Sequence, residues 1–138
     1  MSNIWTKVNR NIPDYLKRYR KIAVVGLSAD PTRPSYKVSE YLQYQGYRIF
    51  PVNPKYEDIL GEDSYKNLVD IPDKIEIVNI FRKPNTIMPI IEEAIQKEAK
   101  VIWMQLGVIN EEAARMALEA GIDVVMDRCI RVEHAALR

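Results

Sequence analysis

Between Lys21 and Pro54 the chain reads KIAVVG, then LSADPTRPS, then YKVSEYLQYQG, then YRIF and PVNP. Ile22 to Val25 is a short, continuous apolar run rich in β-branched residues. Without polar alternation, such a run suits a strand buried on both faces, as in a parallel sheet. It stops at Gly26, and a loop follows. From Ser35 to Gln45, the residues Val38, Tyr41, Leu42 and Gln45 share one helical face. Gly46 stands where a helix end favours positive φ. Arg48 to Val52 is a second apolar run, closed off by Pro51 and Pro54. A strand, a loop, a helix and a second strand in this order form a crossover unit. That unit commits the chain to an α/β fold whose helices cover the sheet.

The remaining chain repeats the alternation. Ile75 to Phe81 predicts a third strand. Ile87, Ile90, Ile91, Ala94 and Ile95 give the i, i+3, i+4, i+7, i+8 pattern of a helix, with Thr86 as the expected N-cap before Pro89. Val101 to Leu106 and Ile122 to Met126 predict two more strands. Between them, Asn110 can cap a helix running to Ala120, with Glu111 and Glu112 at its positive end and Gly121 closing it. Tyr56 to Asp73 is mixed, with a short edge strand expected near Ile59–Leu60 and a helical turn near Tyr65–Val69. The pattern predicts an open, mostly parallel sheet of five or six strands with helices on both faces. The first strand should lie between those at 48–52 and 75–81, and ligands bind such sheets where the winding reverses, outside the carboxyl ends of the strands.

A chain of 138 residues predicts a single domain spanning 1–138, with a leading helical segment at 1–20 and a polar tail at 127–138. The net charge of +1 gives no sign of a nucleic-acid or anionic-membrane partner. No apolar run approaches the roughly 20 residues that span a bilayer, and residues 1–20 do not read as a secretory signal. Cys129 is the only cysteine, so it has no internal partner, which fits a reducing cytoplasm. One cysteine and one histidine do not make a zinc site of the usual kind.

The loops at the strand ends carry the functional reading. In the first, Gly26 lets a ligand approach the backbone, the helix starting near Ser35 directs free N–H groups at the crevice, Arg33 offers a planar fork, and Ser28 and Ser35 offer hydroxyls. The bland alternative is that any parallel β–α loop needs a small residue and a cap. In the second loop, Asn53 stands where a dinucleotide-binding unit would show Asp or Glu, and Lys55 adds a positive charge suited to a phosphorylated ribose. Equally, Pro51 and Pro54 could simply stiffen a turn there. The third loop places Phe81 beside Arg82 and Lys83, able to stack on an aromatic base and hold phosphates. In the fourth, Gln105 can donate to and accept from an amide-bearing ligand, and Gly107 lies beside it. Cys129 and His134 suggest a nucleophile pair, but a packed cysteine and a structural histidine account for them as well.

The ordered set VVGLSADPTRPS, GYRIFPVNPKY, ILGEDSYKNLVDIPD, FRKP, VIWMQLGV and DRCIRVEH resembles the stand-alone CoA-binding domain proteins, whose fold is shared by the amino-terminal domain of the succinyl-CoA synthetase α subunit. The resemblance covers residues from about 14 to 134 and implies a Rossmann-like fold that binds coenzyme A. It implies phosphates near Gly26, Leu27, Ser28 and Arg33. It further implies a ribose-phosphate end near Asn53, Pro54 and Lys55, adenosine near Phe81 and Arg82, and pantetheine near Gln105 and Gly107. The synthetase's catalytic histidine lies in a domain with no counterpart here, so ligase activity is not implied. The expectation is a small cytoplasmic protein that binds coenzyme A or an acyl-CoA without catalysis of its own, alone, as a homo-oligomer or beside a partner enzyme. The competing readings are an NADP-binding redox protein or oxidoreductase, and an interaction module without a ligand.

Overall fold

The computed structural model describes residues 3–137. Five parallel strands form its central sheet: β1 (Lys21–Val25), β2 (Arg48–Val52), β5 (Ile77–Ile80), β6 (Val101–Met104) and β7 (Asp123–Val125), in the order β2-β1-β5-β6-β7. A separate two-residue hairpin joins β3 (Asp58–Ile59) to β4 (Glu62–Asp63). The helices are α1 (Ile12–Arg18), α2 (Pro34–Tyr44), α3 (Met88–Gln96), α4 (Glu111–Glu119) and α5 (Ile130–Ala135). This is the open, doubly covered Rossmann-like α/β sheet that the alternating pattern predicts. The first strand pairs with β2 on one side and β5 on the other.

Successive side chains of each strand point to opposite faces, and two apolar layers result. Ile22 and Val24 of β1 pack with Leu16, Val38, Leu42 and Ile130 beneath α1, α2 and α5. Ala23 and Val25 pack with Ile91, Ala94, Ala113 and Ala117 beneath α3 and α4. Both sets are buried, which explains why the strand reads as one unbroken apolar run.

The leading segment packs on its own sheet and turns around the β7 edge. Ile4 and Val8 belong to the α3–α4 layer, whereas Ile12, Tyr15 and Leu16 belong to the opposite one. At the turn, the Asn9 N–H donates to Val124 O at 2.9 Å. The Asn9 amide brackets Met126, donating to its carbonyl at 3.1 Å and accepting from its N–H at 2.7 Å. The Tyr15 hydroxyl donates to Asp123 Oδ2 at 2.9 Å.

Three local expectations are corrected. Thr86 does not cap α3: it lies in a 3-10 turn over Pro84–Thr86, where its hydroxyl donates to Lys83 O at 2.8 Å, and Ile87 precedes the helix without a side-chain cap. Pro84 opens that turn and draws Thr86 into it. Residues 127–138, read as a polar tail, hold α5 at Ile130–Ala135, anchored by the fully buried Ile130. Finally, the strands at 75–81 and 101–106 are shorter, ending at Ile80 and Met104. The start of α4 and the end of α2 behave as read. The Asn110 side chain accepts from Ala113 N at 2.9 Å. Gly46, at φ +94°, closes α2 in a paired arrangement, with Gly46 N–H to Gln43 O and Tyr47 N–H to Leu42 O.

Candidate functional site

The winding reverses at β1, and the loops leaving β1, β2, β5 and β6 surround a crevice of about 780 Å³ at their carboxyl ends. Its floor begins at Gly26, whose φ is +88°. The Gly26 N–H bonds Val52 O and the Phe81 N–H bonds Val25 O, both at 2.9 Å, so the three loops leave the sheet side by side. A Cβ at position 26 would lie 2.3 Å from Phe81 O and 3.3 Å from the Arg82 Cδ. The chain's own close approach therefore already requires glycine here.

From Gly26 the loop folds back on itself. The Ser28 N–H donates to Ser35 Oγ and the Asp30 N–H to Ser28 Oγ, each at 3.0 Å. Hydrogen bonds from the Thr32 N–H and hydroxyl hold the Asp30 carboxyl below its usual range, at 2.9 and 2.8 Å. Both serine oxygens act as acceptors in these bonds, which leaves their O–H groups to donate elsewhere. The chain then enters α2 with Arg33 at the N-cap and Pro34 and Ser35 in the first turn. No side chain caps this end and no acidic residue lies in its first turn. The free N–H groups and the positive end of the helix dipole meet the crevice beside a cation.

Asn53 lies at the crevice wall, but its amide braces two loops. Its Nδ2 donates to Leu27 O and its Oδ1 accepts from Lys55 N, each at 3.0 Å. Across the crevice stand Phe81, Arg82 and Lys83. Among the described residues, the side chains of Lys55, Arg82 and Lys83 form no ion pair, and no Asp or Glu lines the crevice. The site is thus a concentration of positive charge in a chain of nearly zero net charge.

The far wall is built by Gln105, only 6% exposed. Its Oε1 accepts from Asn79 Nδ2 at 3.2 Å and from the Ile130 N–H at 3.3 Å. These two donors fix the amide orientation, so its Nε2 is left toward the crevice without an acceptor among the described residues. Asn79 is fully buried, and its Oδ1 has no partner among the described residues. It holds Gln105 from behind. Its signal in the sequence is a lone polar residue within the strand run IVNI.

Gly26, Ser28, Arg33, Asn53, Lys55, Phe81, Arg82 and Gln105 all line the crevice. Three expected residues do not. Leu27 is fully buried in the apolar layer beneath α2. Pro54 faces an adjoining pocket of about 430 Å³, which shares Arg82 and Lys83 with the crevice and adds Lys66 and Asn67. Gly107 donates its N–H to Asp127 Oδ1 at 2.8 Å, tying the β6 loop to the β7 loop. Sequence reasoning missed Tyr56, Leu106 and Val108 in the lining. Their positions depend on how neighbouring loops fold, and no spacing announces them. The proposed Cys129–His134 pair is not assembled in the crevice: Cys129 lines it, whereas His134 does not. The His134 Nδ1 lies 2.8 Å from the Tyr41 hydroxyl, with Tyr41 and Tyr47 edge-on to its ring.

A family model described as a CoA binding domain matches residues 20–135. The uncharacterised protein YneT of Bacillus subtilis is 43% identical over 127 residues, covering 92% of this chain and 94% of its own length. The alpha subunit of an ADP-forming acetate–CoA ligase II from Pyrococcus furiosus is 29% identical over 137 residues, covering 90% of this chain but only 30% of the subunit. Among solved structures, a hypothetical protein from Pyrococcus horikoshii superposes with a TM-score of 0.90 at 48% identity, over 92% of this chain and 89% of that one. A structure from Thermus thermophilus superposes at 0.89 with 35% identity, over 99% of this chain and all of the other. With a family model spanning its sheet from before β1 into α5, this chain belongs to the CoA binding domain family.

Proposed function

We propose that the crevice binds coenzyme A or an acyl-CoA, without catalysis by the chain itself. One observation carries the reading: α2 enters the crevice with a cation at its N-cap, no side-chain cap and no acidic residue in its first turn. By contrast, α4 has the Asn110 cap with Glu111 and Glu112 behind it. An arginine at a helix N-terminus is electrostatically unfavourable; Asp30 offsets it in part, and a bound anion would offset it further. The pyrophosphate of coenzyme A supplies that anion. In this reading, Ser28, Arg33 and the first-turn N–H groups of α2 hold the pyrophosphate, and Lys55 faces the phosphorylated ribose. Phe81 and Arg82 wall the adenosine, and the Gln105 Nε2 donates to a pantetheine carbonyl. Asn53 keeps the first two loops in register. Gly26, Leu27, Pro54 and Gly107 shape the loops that present these groups.

The absence of carboxylates from the lining supports a ligand with several phosphates over one recognised by its ribose hydroxyls. Family membership supports the same ligand. In this reading the domain acts as a carrier, a store or a module serving a partner enzyme. The unpaired Cys129 suits a reducing cytoplasm. Calorimetric titration with coenzyme A, NAD, NADP and ATP tests the proposal. The expected result is saturable heat with coenzyme A, stronger than with the other three. No coenzyme A binding at millimolar concentration would overturn it.

A further inference from the structure

We infer that Cys129 is a covalent capture site for the thiol end of the ligand, forming a mixed disulfide with it by exchange against the ligand's own symmetrical disulfide. This rests on the proposal that the crevice binds coenzyme A. Cys129 is the only cysteine of the chain, is free, and forms part of the crevice wall with Gln105 and Leu106. The backbone on both sides of it is fixed. Arg128 O accepts from Trp103 Nε1 at 2.9 Å, and the Ile130 N–H donates to Gln105 Oε1 at 3.3 Å. Cys129 is thereby tied to the end of β6 from either side. The second observation is Gln105 itself, more than nine-tenths buried, with an Nε2 that has no acceptor among the described residues and lies toward the crevice. A donor left open in this way, on an amide whose oxygen is already held, suits an acceptor from the ligand. The amide-bearing arm of coenzyme A provides one and ends in a thiol. The phosphates belong at the cationic side of the crevice, which directs that arm toward Gln105 and Cys129.

The exchange balances without an outside oxidant. Cys129 loses its proton to water, and its sulfur attacks one sulfur of coenzyme A disulfide. The disulfide bond breaks, a Cys129–coenzyme bond forms, and the second coenzyme leaves as a thiolate that takes a proton from water. Binding raises the effective concentration of the reacting sulfur into the millimolar range. A disulfide without the nucleotide gains nothing from the crevice.

The test follows the intact mass of the full chain exposed to equal micromolar concentrations of coenzyme A disulfide or hydroxyethyl disulfide, with calorimetry of reduced coenzyme A on the same preparation. The expected result is one coenzyme adduct per chain, removable by dithiothreitol and formed about tenfold or more faster than the hydroxyethyl adduct. Arg33→Ala should slow the coenzyme reaction and leave the hydroxyethyl reaction unchanged. If reduced coenzyme A binds but the two disulfides react equally fast, the capture is overturned and the binding proposal stands. If reduced coenzyme A does not bind and neither disulfide is preferred, both fall together.

Discussion

Replacing Gly26 with alanine should be far more damaging than the same change at Gly46, although both residues have positive φ, +88° and +94°. At Gly46 nothing lies within 4 Å of the added methyl, so the cost is conformational alone. The left-handed region costs a non-glycine residue about 1–2 kcal/mol, and the stiffer unfolded chain returns roughly 0.4–1 kcal/mol of that. At Gly26 the methyl would also lie 2.3 Å from Phe81 O and 3.1 Å from its carbonyl carbon. These are backbone atoms of a loop already bonded to β1 through the Phe81 N–H, so they cannot swing aside as a flexible side chain does. Overpacking of this kind adds about 1–3 kcal/mol, which, with the unfolded-state return subtracted, brings Gly26→Ala to about 1–5 kcal/mol. That is a large part of the roughly 5–15 kcal/mol that holds an ordinary domain folded. Urea unfolding of the two variants and the parent gives the comparison directly, provided the slopes agree. Equal midpoints for Gly26→Ala and Gly46→Ala would refute the argument that the loops after β1 and β5 are locked by direct backbone contact.

Three further outcomes are expected. Arg33→Ala and Arg82→Ala should each weaken coenzyme A binding by about 1.5–3 kcal/mol, the range for a hydrogen bond to a charged group; titration calorimetry showing unchanged affinity in both would mean that the phosphates lie elsewhere. Asn53→Ala removes the bonds to Leu27 O and Lys55 N at a buried position and should cost about 1–3 kcal/mol in thermal or urea unfolding, against no change if the brace is idle. Burial, then the hydrogen bond to Asp123, pushes the Tyr15 phenol above its ordinary value of 10.0, and burial moves Tyr47 the same way. Unfolding lets both phenols ionise, so stability is full below about pH 10 and falls as pH rises further, with a limiting slope of about 1.4 kcal/mol per pH unit for Tyr15. Tyr15→Phe should lose less stability than the parent between pH 10 and 11 in urea titrations; parallel losses would contradict this.

What could be read in advance was what depends on local pattern. The run at Ile22–Val25, the helical faces of α2 and α3, the Asn110 cap and the closure at Gly46 each rest on residues adjacent in sequence or one turn apart. The topology followed because few right-handed windings of such elements exist. What escaped was set by distant partners. The bracing bond from Asn53 to Leu27 O depends on the β1–β2 pairing that brings the two loops together. The steric need for glycine at position 26 is visible only once β5 sets Phe81 O against it. The short α5 carries one fully buried apolar residue, Ile130, and so has no periodicity to announce it. Gln105 was legible as an amide at a strand end, but its fixed orientation depends on Asn79 and Ile130.

The turn of the leading segment around β7 has a meaning beyond packing. An edge strand with free N–H and C=O groups is a template for another chain's strand. Asn9 occupies that side of β7 through Val124 O and through both backbone groups of Met126. At the opposite edge, Tyr65 bridges Val52 and bonds Pro51 O, and Pro51 itself has no N–H to offer. Each end of the sheet thus carries its own stopper. These stoppers work against extension of the sheet by a second copy at either end. A variant shortened through Asn9 would expose the β7 edge and gain a route to aggregation that the parent chain lacks.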